Sequence, residues 1–140
     1  WPRLARRVVL HPTCTLIKIG AADDLRRLAE TFAESVVVPV LAECCGFAGD
    51  RGFLFPELTR SATKAEAGEA VQAGTEPGDA RDCRYYSTCR TCEIGMSAAT
   101  GRIYRSIVYL CYDALAGQDG LDVAANTPRS TLGPGPFEVG

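Results

Sequence analysis

The sequence predicts an α/β domain of parallel strands flanked by helices, followed by a flexible C-terminal tail. Short β-branched apolar runs alternate with segments of helical periodicity, the pattern of strands joined by crossover helices. Apolar residues make up 46% of the 140 and charged residues 23%, which supplies enough apolar surface for a packed core. From residue 117 onward eight of the last 24 residues are Gly or Pro and no periodicity survives, so residues 1–116 read as the domain and 117–140 as the tail.

The elements follow in order. Arg6 to Pro12 holds the run Val8-Val9-Leu10 and reads as a buried strand closed by Pro12, with Cys14 and Lys18 in the loop or first turn beyond. Leu25, Leu28, Ala29, Phe32 and Ala33 have the spacing of one buried helix face, and Asp23 and Asp24 suit the positive end of its dipole. Val36 to Val40 reads as a second strand, with Pro39 at its end or on an edge. Pro56 suits the first position of an Ala-rich helix that runs to about Val71, and 74–82 is a polar connection. A weak strand is expected over 84–87, then a short helix over 92–99 broken by Gly101. A last helix over 106–116 carries Ile107, Leu110, Cys111, Ala114 and Leu115 on its buried stripe.

Charge and hydropathy exclude several classes. Fifteen basic against 17 acidic residues leave no surplus with which to neutralise phosphates, so no nucleic-acid partner is expected. No apolar run approaches the roughly 18 residues of a membrane span. The chain opens on Trp1 and its only methionine is Met96, so it reads as a piece of a longer protein.

Seven cysteines are the unusual quantity, and an odd number cannot pair completely. Cys14 is followed after 29 residues by Cys44-Cys45-Gly46, and 43 residues after Cys45 by Cys89-Arg90-Thr91-Cys92. A C-x-x-C turn brings two thiolates to one side, within reach of a metal or cluster. Adjacent cysteines cannot both aim at one ion from regular backbone, so the Cys44-Cys45 pair suits a multi-iron cluster better than one tetrahedral zinc. Glu43 before this pair and the loop with Gly46, Gly49 and Gly52 after it argue against simple packing, and the glycines would let backbone amides approach the bound group. Cys111 reads as a core thiol, and Cys83 stands in a polar connection, outside the ligand pattern. His11 is the sole histidine and reads as a satisfied loop residue rather than a ligand. Serine-hydrolase chemistry lacks its Gly-x-Ser-x-Gly elbow, while a thiol–disulfide role for Cys89 and Cys92 lacks a thioredoxin-like setting.

The stretches His11-Pro12-Thr13-Cys14, Cys44-Cys45-Gly46-Phe47-Ala48-Gly49-Asp50-Arg51-Gly52-Phe53, Pro56-Glu57-Leu58, Thr91-Cys92-Glu93-Ile94-Gly95-Met96 and Tyr104 to Leu110 together resemble a known family. They are similar to the C-terminal cysteine-rich "CCG" domain of bacterial FAD-linked oxidases, described as D-lactate or D-2-hydroxyglutarate dehydrogenases. The resemblance covers about residues 6–116. It implies that the intact protein oxidises a D-2-hydroxy acid, with FAD taking a hydride and electrons passing through iron–sulfur centres to an acceptor. FAD-binding and ferredoxin-like domains of the same polypeptide would be the partners, in a cytoplasmic protein or one peripheral to the inner membrane. This segment, having no flavin site, would be inactive alone. The resemblance implies Cys14, Cys44, Cys45 and Cys92 as ligands, with Cys89 as an extra candidate, of a 4Fe–4S cluster or, alternatively, zinc. These sulfurs are expected to meet at the C-terminal end of the parallel strands. The competing reading is a zinc-stabilised docking domain without redox role.

Overall fold

In the computed structural model, residues 3–75 and 82–116 are described; the tail expected over 117–140 lies outside them. Four strands, β1 (Ala5–His11), β2 (Ala33–Val37), β3 (Cys83–Ser87) and β4 (Tyr104–Ser106), form one sheet in the order β2-β1-β3-β4. All pairings are parallel, with Val9 opposite Val37 on one side and Tyr85 on the other. The α/β class expected from the alternation is the observed one.

Helices cover both faces, and the strand period of two sorts the core between them. Val8, Leu10 and Tyr86 pack with α2 (Ala22–Phe32) and α6 (Ile107–Ala116), through Leu25, Ala29, Phe32, Ile107 and Leu110. Cys111 is half-buried and packs against this group, whereas Leu115, expected on the same buried stripe, is exposed. On the opposite face Val9, Cys83, Tyr85 and Tyr104 meet Ala70 and Ala73 of α4 (Pro56–Ala73) and Met96 of α5 (Arg90–Thr100). Cys83 is therefore a buried strand residue rather than part of the polar connection.

Several boundaries differ from the sequence expectation for local reasons. The second strand starts at Ala33, not Val36, and ends before Pro39, which has no amide to donate to a ladder. Ala33 consequently leaves the helix stripe, and Leu28 of α2 is exposed. Two short helices, α1 (Cys14–Lys18) and α3 (Arg51–Leu54), occupy segments read as loop. The Leu16 N–H donates to the Thr13 hydroxyl, which caps α1. The three-residue strand β4, on the sheet edge, begins just before the last helix and was too short to carry a period. Gly101 ends α5 in the left-handed region at φ 67°, as its position suggested. No helix among the described residues is long and apolar enough to cross a membrane.

Candidate metal centre

Strand order reverses between β1 and β3, because the chain passes from β1 to β2 on one side and returns to place β3 on the other. Open α/β sheets bind ligands beyond the carboxyl ends of strands at such a reversal. Three segments leave the sheet there. His11 is the last residue of β1, Cys45 lies in the loop after β2, and Cys92 sits in the first turn of α5, after β3.

His11, Cys45 and Cys92 are all buried, and one ligand atom from each lies within 4.8 Å of the other two. The Cys45 and Cys92 sulfurs are 3.0 Å apart. His11 is fully buried on the α4/α5 face, the face it shares with Val9 by strand alternation. Its Nδ1 stands 2.6 Å from Oε1 of Glu66, a buried residue of α4. Its Nε2 is buried and has no hydrogen-bond partner. The expectation of a satisfied loop histidine is thus corrected. His11 ends a central strand, and only one of its nitrogens is satisfied.

The packing that sets this arrangement is tight. A Cβ on Gly95, one turn beyond Cys92, would lie 3.0 Å from Thr59 Cγ2, 3.3 Å from the Phe47 ring and 4.0 Å from Cys45 Cβ. Lacking that atom, α5 approaches both α4 and the Cys45 loop. Gly46 turns the loop at φ 68°, and a Cβ there would stand 2.8 Å from Ala62 Cβ. Gly52 lies against the Phe47 ring, where a Cβ would come within 2.6 Å. Gly46 and Gly52, expected to admit a bound group, thus admit helix α4 and an aromatic ring. Gly49 has φ 75° and open space around it.

Electrostatics couple the three side chains. The Cys92 S–H donating to the Cys45 sulfur lowers the Cys45 thiol to about 4, against the cost of burial, and the His11 side chain and a backbone amide at Phe47 help. The same hydrogen bond, with burial, pushes Cys92 well above the usual thiol range. Burial opposes a charge on His11, yet the neighbouring Cys45 sulfur and Glu66 carboxylate raise it to about 9. In the metal-free chain the group is a buried thiolate–imidazolium pair beside a neutral thiol. Such a pair supplies the deprotonated sulfur that a soft cation requires.

The other expected ligands lie at varied distances from this chemistry. Cys89 precedes the first turn of α5, 3.3 Å from the Thr91 hydroxyl, and its sulfur also interacts with Cys92. The Thr91 hydroxyl and the Cys92 amide lower its thiol. Cys44 is exposed, accepting the Gly46 N–H at 3.4 Å, and Cys14 is half-buried in the first turn of α1. Neither belongs to the convergent group. In the loop after β2, Cys45 is buried while its neighbour Cys44 is exposed. Glu66 carried no signal in the sequence beyond a helix period that places it one turn from Thr63 and Ala70.

The donor set fits a metal. Two thiolates and an imidazole are ligands for zinc and iron, and Nε2 is a buried polar atom with nothing else to bond. Metal–sulfur bonds of about 2.3 Å in a tetrahedron set two sulfurs about 3.8 Å apart, so the observed pair needs to open by less than an ångström. Comparison with family models, with characterised proteins and with solved structures finds no match to this chain.

Proposed function

We propose that this chain is a metal-carrying, cysteine-rich module of an FAD-linked oxidoreductase, in which Cys45, Cys92 and His11 hold one soft metal centre on the electron path from flavin to an acceptor. The observation that carries the metal part is the burial of two sulfurs 3.0 Å apart, within 4.8 Å of a nitrogen of a buried histidine whose Nε2 has no hydrogen-bond partner. Support for the oxidoreductase part is the motif resemblance, above all the Cys44 to Phe53 stretch. The substrate of the intact protein would be a D-2-hydroxy acid such as D-lactate or D-2-hydroxyglutarate, and FAD would bind in another domain.

The spacing of the sulfurs bears on the kind of centre. In a 4Fe–4S cluster four cysteines serve four irons, so each iron takes one thiolate. Sulfurs as close as these favour a shared ion, in a mononuclear or a two-iron centre. Cys89, beside Cys92, is the nearest further thiol for an additional position. Iron held here would supply one-electron transfer. The chain's own part is to provide a preformed thiolate, exclude water by burial and orient the imidazole.

Anaerobic purification of the chain, followed by iron, sulfide and zinc analysis with reductive titration, tests this reading. The expected result is about one or two irons per chain, lost in Cys45→Ser and Cys92→Ser and kept in Cys111→Ser. Zinc without iron in anaerobically prepared, iron-supplied protein would favour the docking-domain alternative. A metal-free chain with a titratable dithiol would overturn the metal reading altogether.

A further inference from the structure

Glu66 presents a buried carboxylate 2% exposed, on the stripe of α4 that also carries Thr59, Thr63, Ala70 and Ala73. A carboxylate is costly to remove from water without a donor. The donor is His11 Nδ1, at 2.6 Å and 55 residues away in sequence. Salt-bridge geometry of this kind could be purely structural, but a structural pair needs no second nitrogen left empty. Here the imidazole is held at one edge through Nδ1, Nε2 at the opposite edge has no hydrogen-bond partner, and a ring nitrogen lies within 4.8 Å of both sulfurs.

We propose that Glu66 is a positioning residue for the metal centre: by accepting the Nδ1–H it fixes the imidazole tautomer and ring plane so that Nε2 offers its lone pair to the ion held by Cys45 and Cys92. This inference rests on the metal reading above. Histidine ligands to metals almost always donate their other N–H to a carboxylate, carbonyl or water, which both orients the ring and raises its basicity. The placement follows from the fold. Strand alternation sends His11 to the face covered by α4, and the helical period brings Glu66 over the end of β1. Tyr104, whose buried hydroxyl feels the Glu66 charge, lies on the same side.

The test uses the full chain, reduced and metal-free, titrated with cobalt(II) and read by its thiolate charge-transfer and d–d bands. Glu66→Ala should weaken cobalt binding about 10- to 100-fold. Glu66→Gln, which keeps an acceptor oxygen, should recover most of that loss while shifting the d–d bands. His11 is the only histidine, so ¹⁵N-histidine NMR of the zinc-loaded chain reads its tautomer without ambiguity. The Nδ1–H form is expected in wild type and Glu66→Gln, and a mixture of ring states in Glu66→Ala. Unchanged cobalt affinity with the Nδ1–H form retained in Glu66→Ala overturns the role of Glu66 and leaves the metal reading standing. Wild-type chain that takes no cobalt overturns both. Should Glu66→Ala fail to fold, identical bands and affinity in Glu66→Gln and wild type overturn the proposal.

Discussion

Cys92 places its sulfur 3.0 Å from that of Cys45, although the two are 47 positions apart in the chain. The hydrogen bond across this gap makes the two thiols unequal: Cys45 is held ionised and Cys92 protonated. His11 compensates the thiolate from one side, and Glu66 braces His11 from behind.

The inequality sets a pH profile for the metal-free chain. Between about 4 and 6.5 the folded Cys45 is ionised while the unfolded thiol is not, so the unfolded state binds the extra proton and stability rises with pH. From 6.5 to about 9 the folded His11 retains a proton the unfolded histidine loses, which cancels the Cys45 slope. Above 9 the raised Cys92 keeps its proton in the folded state alone, and stability falls. Urea midpoints across this range, as wild type minus Cys45→Ser, should show a rise up to about 6.5. A difference flat from 4 to 6.5 would argue against a buried thiolate.

Thiol reactivity should separate the remaining cysteines. Cys89 is half-buried with its thiol lowered, whereas burial raises that of Cys111. At neutral pH iodoacetamide should modify Cys89 before Cys111, as followed by peptide mass spectrometry. Equal rates would contradict the environment described for the C-x-x-C turn.

Two glycines in one loop should respond differently to alanine. Both have positive φ, which costs an alanine about 1–2 kcal/mol. Gly49→Ala meets open space and should lose only that amount. Gly46→Ala adds a collision with Ala62 Cβ at 2.8 Å and the Leu58 carbonyl oxygen at 2.9 Å, so a total loss of roughly 2–4 kcal/mol is expected. Denaturant midpoints at equal m-value measure both.

Leu110→Ala tests the independence of the centre from the opposite core. Leu110 is fully buried among α2, α6 and the far face of the sheet, and its truncation should cost about 3–5 kcal/mol. The cobalt spectrum of the folded fraction should be unchanged, because none of the ligand residues belongs to that group. An altered spectrum would mean that packing on the α2/α6 face sets the ligand geometry.

Much of the fold was legible locally. The run Val8-Val9-Leu10, the stripe of Leu25, Ala29 and Phe32, and Pro56 at a helix start are signals whose span is a few residues, and each fell where a strand or helix formed. A stripe of the same kind marks Cys111, which packs half-buried against the core. The polar-looking stripe of α4 was harder: its buried positions include Thr59, Thr63 and Glu66, which no apolar period marks. β4 was hidden because three residues hold no pattern.

The centre divides the same way. Composition and spacing were enough to mark the thiols as metal-competent and to set Cys111 aside, since those properties belong to side-chain chemistry and to short-range periodicity. Which thiols meet is a different kind of question. It depends on β1 lying between β2 and β3, on Gly95 letting α5 close upon Cys45, and on the loop turn that sends Cys45 inward and Cys44 outward. His11 was read as a loop residue until the strand reached it, and Glu66 had no mark at all until α4 was laid across the end of β1. These pairings join residues 47 and 55 positions apart, so no window of sequence contains them, and the sheet order and helix docking alone bring them together.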